Sequence, residues 1–486
     1  MHGDLSRVTF RPARHYSAVL HQQGRVQLDA DANEQIAIQL HHARTLAADL
    51  IGPHGGPARA LGFAVGYVPG NRELDDLTIG GGRYYVDGIP LDADRPAPGV
   101  PAEPGRRAQP DPERPEEPAT WTYWEQPDAH LDPERPADRL PDELPYLVYL
   151  EVWERAVTAA EDPDIREVAL GGVLPDTAAR IRTLWKVLPL TAEQLGEIEG
   201  EGPEARRAAF AAWAAGRQAA SSWLAARAER PEGADDKPCL TRPDARYRGP
   251  ENQLYRIEIH DGGTAEDGAT FKWSRENGSV VLPVVEVDGT WIELATLGGD
   301  GKLALDAGDW VEVLDSAYAS RLEIPDPAED RRPAPARLLQ VEEVDLPGRR
   351  VRLHEEPAPG VGRAPHRNPY LRRWDQRPTG GRSAERVDGA LPVAEGVWLD
   401  LEDGVQVYFE PGGGYRAGDH WVTAARTVTG TVEWPRDATG EPLLQPPAGI
   451  ARHYAPLAWI AADGTVEDLR YAFGRLAGPV ENAIEG

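Results

Sequence analysis

A single cysteine, Cys239, in 486 residues excludes any intramolecular disulfide and offers no basis for a cysteine-ligated zinc cluster, so stability has to come from packing. Lysine is almost as scarce. Lys186, Lys237, Lys272 and Lys302 are the only four, and the positive charge is nearly all arginine, which suits planar carboxylate pairing and is also what a GC-rich coding sequence produces. Even so, 52 basic residues are outweighed by 80 acidic ones, and the net charge of −28 repels phosphate backbones and anionic bilayers. Nucleic acid and membrane are therefore not expected partners. No stretch approaches about 18 consecutive apolar residues, and no basic segment leads into an apolar run at the start, so the expected site of synthesis and assembly is the cytoplasm, with release alongside any particle on lysis.

Catalytic signatures are missing too. There is no Gly-x-Ser-x-Gly elbow, no His-Glu-x-x-His, no Gly-x-x-x-x-Gly-Lys phosphate loop and no dinucleotide Gly-x-Gly-x-x-Gly after a strand. His41, His42 and His54 are close in sequence, but adjacent helical histidines point about 100° apart, so solvated or hydrogen-bonded histidines are expected. Acidic residues beside tryptophan at Trp153–Glu154, Asp309–Trp310 and Trp374–Asp375 have the composition of a carbohydrate-cleaving site, yet 80 acidic residues produce such neighbours by chance. Sugar binding by exposed indole faces is the stronger form of that alternative, against a default of buried core tryptophan.

What is present is sharpest between Gln22 and Gly52. Val26 and Leu28 alternate with polar residues as in a short strand, and Asp31 stands three residues before Glu34 in a capping-box arrangement. A helix is expected over Ala32 to Ile51, with Ile36, Leu40, Ala43, Ala47 and Leu50 as a buried stripe and Gly52–Pro53 as the stop. If that stripe is buried, Leu40→Ala costs about 2–5 kcal/mol. Asp29, Asp31 and Asn33 occupy the first, third and fifth places of a calcium loop, but Glu34 and Leu40 stand where the loop needs glycine and a bidentate glutamate. Gln22, Gln23, Gly24, Arg25, Asp29, Asp31, Asn33 and Glu34 are accordingly read as a structural motif, with no catalytic residue, metal or cofactor assigned.

Several stretches carry a resemblance: MHGDLSR (1–7), QQGRVQLDADANEQ (22–35), LAADLIGPHGG (46–56), YLVYLEVWER (146–155), FKWSRENGS (271–279), YRAGDHW (415–421) and HYAPLA (453–458). Together they are similar to an uncharacterised bacterial family that carries only a domain-of-unknown-function label. Its members tend to be encoded among phage-tail-like and contractile-injection components, so the resemblance implies a structural or accessory part of such a particle (baseplate, fibre or cap region) and no chemistry. Other subunits of the assembly are the implied partners, with a second copy of the chain or a surface glycan as alternatives. A cargo protein of the particle and a carbohydrate-binding or carbohydrate-cleaving accessory are the rival functions. The family motif usually has tryptophan where Ala32 stands, so no role of that aromatic carries over.

The expected fold is a β-rich multidomain (α+β) protein. Residues 1–60 form a strand–helix anchor, and 61–190 a β region with a Pro-rich loop at 95–145, pinned back by Trp121, Tyr123 and Trp124. Tyr146 to Glu154 is apolar on both alternating faces, as in a central strand. A helical hairpin insertion at 191–236 opens with a Thr191–Gln194 capping box, and its second helix puts Phe210, Trp213, Ala220 and Leu224 on one stripe. Replacing that hairpin by a short linker should then leave the body folded. Two antiparallel β modules, 245–357 and 385–475, share an echo of Trp291-Ile-Glu-Leu with Trp398-Leu-Asp-Leu, each followed by Ala-Gly-Asp; 358–384 links them and 476–486 is a tail.

Overall fold

The computed structural model describes residues 2–70, 74–95, 120–170, 176–230, 246–298, 303–322, 337–376 and 388–476. The fold is β-rich, with several antiparallel sheets and few helices, and the chain divides into two compact units. One comprises residues 1–37, 154–182 and 219–451, the other 38–153, 183–218 and 452–486. Cys239 and residues 96–119 of the Pro-rich loop lie outside the described residues, as do 231–236 of the expected hairpin and 477–486 of the expected tail.

The second unit is built on the Tyr146–Val157 strand, which sits between Arg452–Ile460 and Arg180–Thr191 in a four-stranded sheet. Side chains alternate between the faces of a strand, and here both faces are apolar as expected. Tyr146, Val148, Leu150 and Val152 enter a core with Phe63, Tyr84 and Leu457, while Leu147 and Tyr149 enter another with Leu190, Phe210 and Trp459. Trp121, Tyr123 and Trp124 do pin their segment: Tyr123 is buried, its ring meets Trp124 edge-on at 5.1 Å, and Trp121 Nε1 donates to the Ala93 carbonyl at 3.1 Å.

The second core is closed by the helix Pro203–Gln218, preceded by the expected capping box in which Gln194 N donates to Thr191 Oγ1 and Gln194 Oε1 accepts from Thr191 N. Phe210 and Ala214 are buried on it, and Trp213 packs at 5.1 Å against Tyr149. The helix stops at Gln218, which corrects the expected hairpin. Leu224 is not on its stripe but opens the strand Leu224–Ala228, paired residue for residue with Val405–Phe409; sheet pairing overrides the helix propensity of an Ala-rich run. The segment is thus part of a core rather than a removable insertion.

The first unit stacks three β layers. A three-stranded sheet (Trp398–Asp400, Val405–Phe409, Leu224–Ala228) packs on one face of a five-stranded sheet (Leu391–Pro392, Thr270–Ser274, Gln253–Ile259, His420–Arg426, Thr431–Glu433), with Leu224, Val407, Phe409, Tyr255, Ile257, Phe271 and Trp421 between them. The third layer is a closed six-stranded barrel from Val281 to Trp374, filled by Leu282, Ile292, Val311, Val351 and Leu371 among others. Two expectations change here. Tyr370–Trp374, assigned to a linker, is a fully buried barrel strand, because its alternation was masked by arginines that the barrel buries. The two echo segments are not equivalent either, since Trp291–Leu294 lies within the barrel and Trp398–Asp400 at a sheet edge. They share only a turn, in which Gly308 and Gly418 take φ of +96° and +87° just before a strand. The Asp403–Gly404 hairpin turn has positive φ at both residues, as its type requires.

The long N-terminal helix runs from Asp29 to Ile51, and its stripe is corrected as well. Ile36, Leu40, Ala43 and Leu50 are exposed, Ala47 is half-buried, and the helix is anchored through Ala30 and Ile38, which a 3.6-residue period places on a different face.

These placements overturn the expected cost of Leu40→Ala. Phe210→Ala should cost about 3–5 kcal/mol in urea melts, as for a core aromatic, whereas Leu40→Ala should stay within about 1 kcal/mol of the parent. Equal costs would mean that the helix Asp29–Ile51 buries the face read here as exposed.

Candidate functional site

The most unusual chemistry in the first unit lies where the five-stranded sheet faces the barrel. Along Gln253–Ile259 the odd positions Tyr255, Ile257 and Ile259 fill the apolar core, so Arg256 and Glu258, with His260 just beyond the strand, project to the opposite side. Antiparallel register places Lys272 directly across from Glu258 on one neighbour and His420 across from it on the other. A row of His420, Glu258 and Lys272 results. The barrel contributes Glu312 and Arg372, a cross-strand pair of its own, together with Trp374.

All of these side chains are buried, and charge is matched at short range. Glu258 Oε2 accepts from Arg256 at 2.6 Å and lies 3.0 Å from His2 Nε2, while its Oε1 is 3.4 Å from Lys272 Nζ. Lys272 is hydrogen-bonded to Glu312, whose second oxygen accepts from Trp374 Nε1 at 2.8 Å; the ammonium also stands 4.4 Å from the centre of the Trp374 ring. His260 Nδ1 is 3.9 Å from Glu312. His2 completes the set, meeting Trp374 edge-on, with Arg372 Nη1 at 3.4 Å. Its position is fixed by the next residue: Gly3 exchanges backbone contacts with Asn277, whose Nδ2 donates to the Gly3 carbonyl at 3.0 Å. A Cβ on Gly278 would fall 2.5 Å from the His2 ring, so that turn needs glycine for a reason of space as well as its φ of +64°.

Burial sets the protonation states. Burial, reinforced by Arg256 and Arg372, holds His2 well below the ordinary histidine range against the pull of Glu258, and burial with Arg256 does the same to His420. His260 is pushed down to about 3 by burial and Lys272. Burial alone would raise the Glu258 carboxyl, but Arg256, Lys272 and His2 more than offset it and hold it well below the usual range. The result is a set of neutral imidazoles among fixed, mutually paired ions. Glu258 and Glu312 are already paired with Arg256 and Lys272, which is the chemistry of a structural joint.

The sequence motif lies elsewhere in the same unit and ties down the N-terminal segment. Asp29 accepts from Ser6 N and Oγ at 3.0 and 2.8 Å, Glu34 from Thr9 Oγ1 at 2.6 Å, and the following Gln35 from Val19 N at 2.7 Å. Gln22, Gln23, Gly24 and Arg25 form an exposed turn closed by Arg25 N on the Gln22 carbonyl, with Gly24 at φ +72°. Asp31 and Asn33 make no side-chain hydrogen bond with any described residue, and Asp29, the first residue of the helix, spends its carboxylate on Ser6. Among the described residues no group of three or more His, Cys, Asp or Glu side chains is arranged to hold a metal ion.

The other candidates disperse. His41 and His42 are exposed, and His54 is hydrogen-bonded at 3.1 Å to Tyr84 and stacked on Tyr471. Trp153 and Trp374 are buried, no described tryptophan is fully exposed, and Trp291 and Trp398 each carry an arginine over the ring. Asp309 is engaged by the Asp306 amide. A depression of about 490 Å³ in the second unit has Asp92 and Asp94 on its wall, but both accept from backbone amides.

Sequence reasoning missed the buried row because Arg256, Glu258 and His260 alternate with apolar residues as a solvent-facing edge does. A usable signal was lysine: both lysines among the described residues, Lys186 and Lys272, are buried. In comparisons with known proteins, the family of unknown function DUF6519 matches residues 1–110 and 204–476, a span that includes every member of the row. No curated protein and no solved structure matches the chain.

The three histidines make stability depend on acid. Unfolded, each takes a proton near pH 6.5, whereas in the fold each resists it, so the unfolded chain binds more protons and stability falls as pH drops below 6.5. In urea melts between pH 8 and 5 the three together contribute up to about 4 kcal/mol per pH unit to the decline in unfolding free energy, with His54, lowered to about 4, adding to it and Glu402, raised to about 7, opposing it. His420→Asn should remove about one proton's share. A midpoint that holds steady to pH 5 would show that the folded row accepts protons. Glu258→Gln, which strands Arg256 and leaves Lys272 with Glu312 alone, should cost about 3–5 kcal/mol at pH 7.5.

Proposed function

We propose that the chain, which belongs to the DUF6519 family, is a non-catalytic structural or accessory subunit of a larger particle. The kind of particle, a phage-tail-like contractile injection assembly, comes from the motif resemblance. One observation supports a role in assembly above the others. From Arg11 to Leu28 every residue except Val19 is exposed, the backbone forms no strand or α-helix, and Leu20 and Val26 are 84% and 83% accessible. A segment that offers apolar side chains to solvent gains nothing from its own fold, since burial contributes only about 25 cal/mol for each Å² removed from water. It gains on contact with another surface.

The segment is nevertheless held in one path. Tethers from Asp29, Glu34 and Gln35 fix it at Ser6, Thr9 and Val19, and Arg426 Nη2 donates to the Ser6 carbonyl at 2.9 Å. An arm pinned before it binds loses less conformational entropy on docking. The buried row serves the same end, because it anchors the root of the arm at His2 and Gly3 to the body of the unit.

Co-sedimentation with particles from producing cells tests the reading. The parent chain should pellet with intact particles at a fixed ratio, and a variant with residues 11–28 replaced by a Gly-Ser linker should stay in the supernatant while keeping its urea midpoint within about 1 kcal/mol of the parent. A chain absent from particles but present in recipient cells would instead be cargo, and one absent from both would remove the particle reading altogether.

A further inference from the structure

The arm's charge identifies what covers it. Between Leu5 and Leu28 there is no aspartate or glutamate, while Arg7, Arg11, Arg14 and Arg25 give this stretch a formal charge of +4. The whole chain carries −28, so everything outside the stretch carries −32. This is a sharp polarity on one polypeptide: a basic, apolar, projecting arm on a strongly acidic body. Arg7 is paired within the chain, to Glu433 at 3.1 Å, but Arg14 and Arg25 make no ion pair with any described residue.

From this we infer that the arm of one copy docks on the acidic body of a second copy, so that the chain self-associates through residues 11–28. The inference rests on the assembly reading above and specifies its partner. The two copies repel as wholes, so complementarity between the arm and the remaining −32 acts at contact, where it fixes orientation, while Tyr16, Leu20 and Val26 supply the apolar area that water would otherwise cover. Arm-to-arm contact is disfavoured, because it would bring like charges together. The contact therefore joins different surfaces of the two copies, and such a contact propagates into a closed ring or an open filament unless two copies exchange arms reciprocally.

The purified full-length chain, examined by light scattering coupled to size exclusion and by sedimentation velocity, tests this. At about 100 μM and low salt the mass should be a multiple of 53.1 kDa, and it should shift toward 53.1 kDa as salt is raised. The triple variant Arg11→Glu, Arg14→Glu, Arg25→Glu and, separately, the double variant Leu20→Asp, Val26→Asp should each weaken association at least about tenfold, with circular dichroism and urea midpoint unchanged because none of these side chains enters a core. A parent chain that stays at 53.1 kDa throughout overturns the inference, and so does an oligomer indifferent to both variants. Retarded migration of a 30-mer DNA duplex by the monomeric parent, abolished in the triple variant, would assign the arm to a polyanion and also overturn it. If the parent is monomeric yet co-sediments with particles through the arm, the assembly reading stands and only the identity of the partner falls.

Discussion

The arrangement of the first unit depends on keeping one carboxylate, Glu258, ionised out of contact with water. Its strand is central in the five-stranded sheet, with an apolar core on one side, so the charge can be balanced only from the other. Arg256 on the same strand, Lys272 on the next and His2 from the start of the chain do so, and Lys272 in turn holds Glu312 of the barrel. A sheet and a barrel could pack through aliphatic side chains at less electrostatic cost. An ion row of this kind differs from such packing in being directional, since a slip of one residue along the strand would bury unpaired charge.

That dependence explains which parts of the structure were legible. The Tyr146–Val157 strand declared itself because both its faces are apolar, and the Asp403–Gly404 turn and the Thr191 cap because each is a local arrangement of a few residues. The same holds for the aromatic cluster at Trp121 to Trp124. Features that need distant partners were not legible. Arg256 and Glu258 read as a wet face until Glu312 and Arg372 are brought over them, and Tyr370–Trp374 reads as linker until the barrel closes. The helix Asp29–Ile51 was legible as a helix and misleading as to its face, since periodicity states that a stripe exists and not that anything covers it.

The conspicuous motif and the buried row divide one task. QQGRVQLDADANEQ holds the arm in place from the helix side, whereas the residues of FKWSRENGS and YRAGDHW receive its root. Lys272, Asn277 and Gly278 all lie in the first of these receiving segments and His420 in the second. Stretches with no evident chemistry thus hold the two ends of the exposed residues 11–28 in a defined path.

The placement of His2 has a consequence for how the chain comes into being. Its neighbours are Glu258, Arg372 and Trp374, and the contact with Arg372 spans 370 residues of chain. The other unit reaches further still, since the strand at His54–Pro57 pairs with Ala472–Phe473. Contacts of such long range make for slow folding, because chain ends must meet before the contact rewards them. Neither unit can close before its distant segments meet, and the arm, with its bare leucine and valine, stays exposed after they do. Until those segments meet, the surplus of negative charge, −28 at pH 7, is what keeps unfolded copies apart.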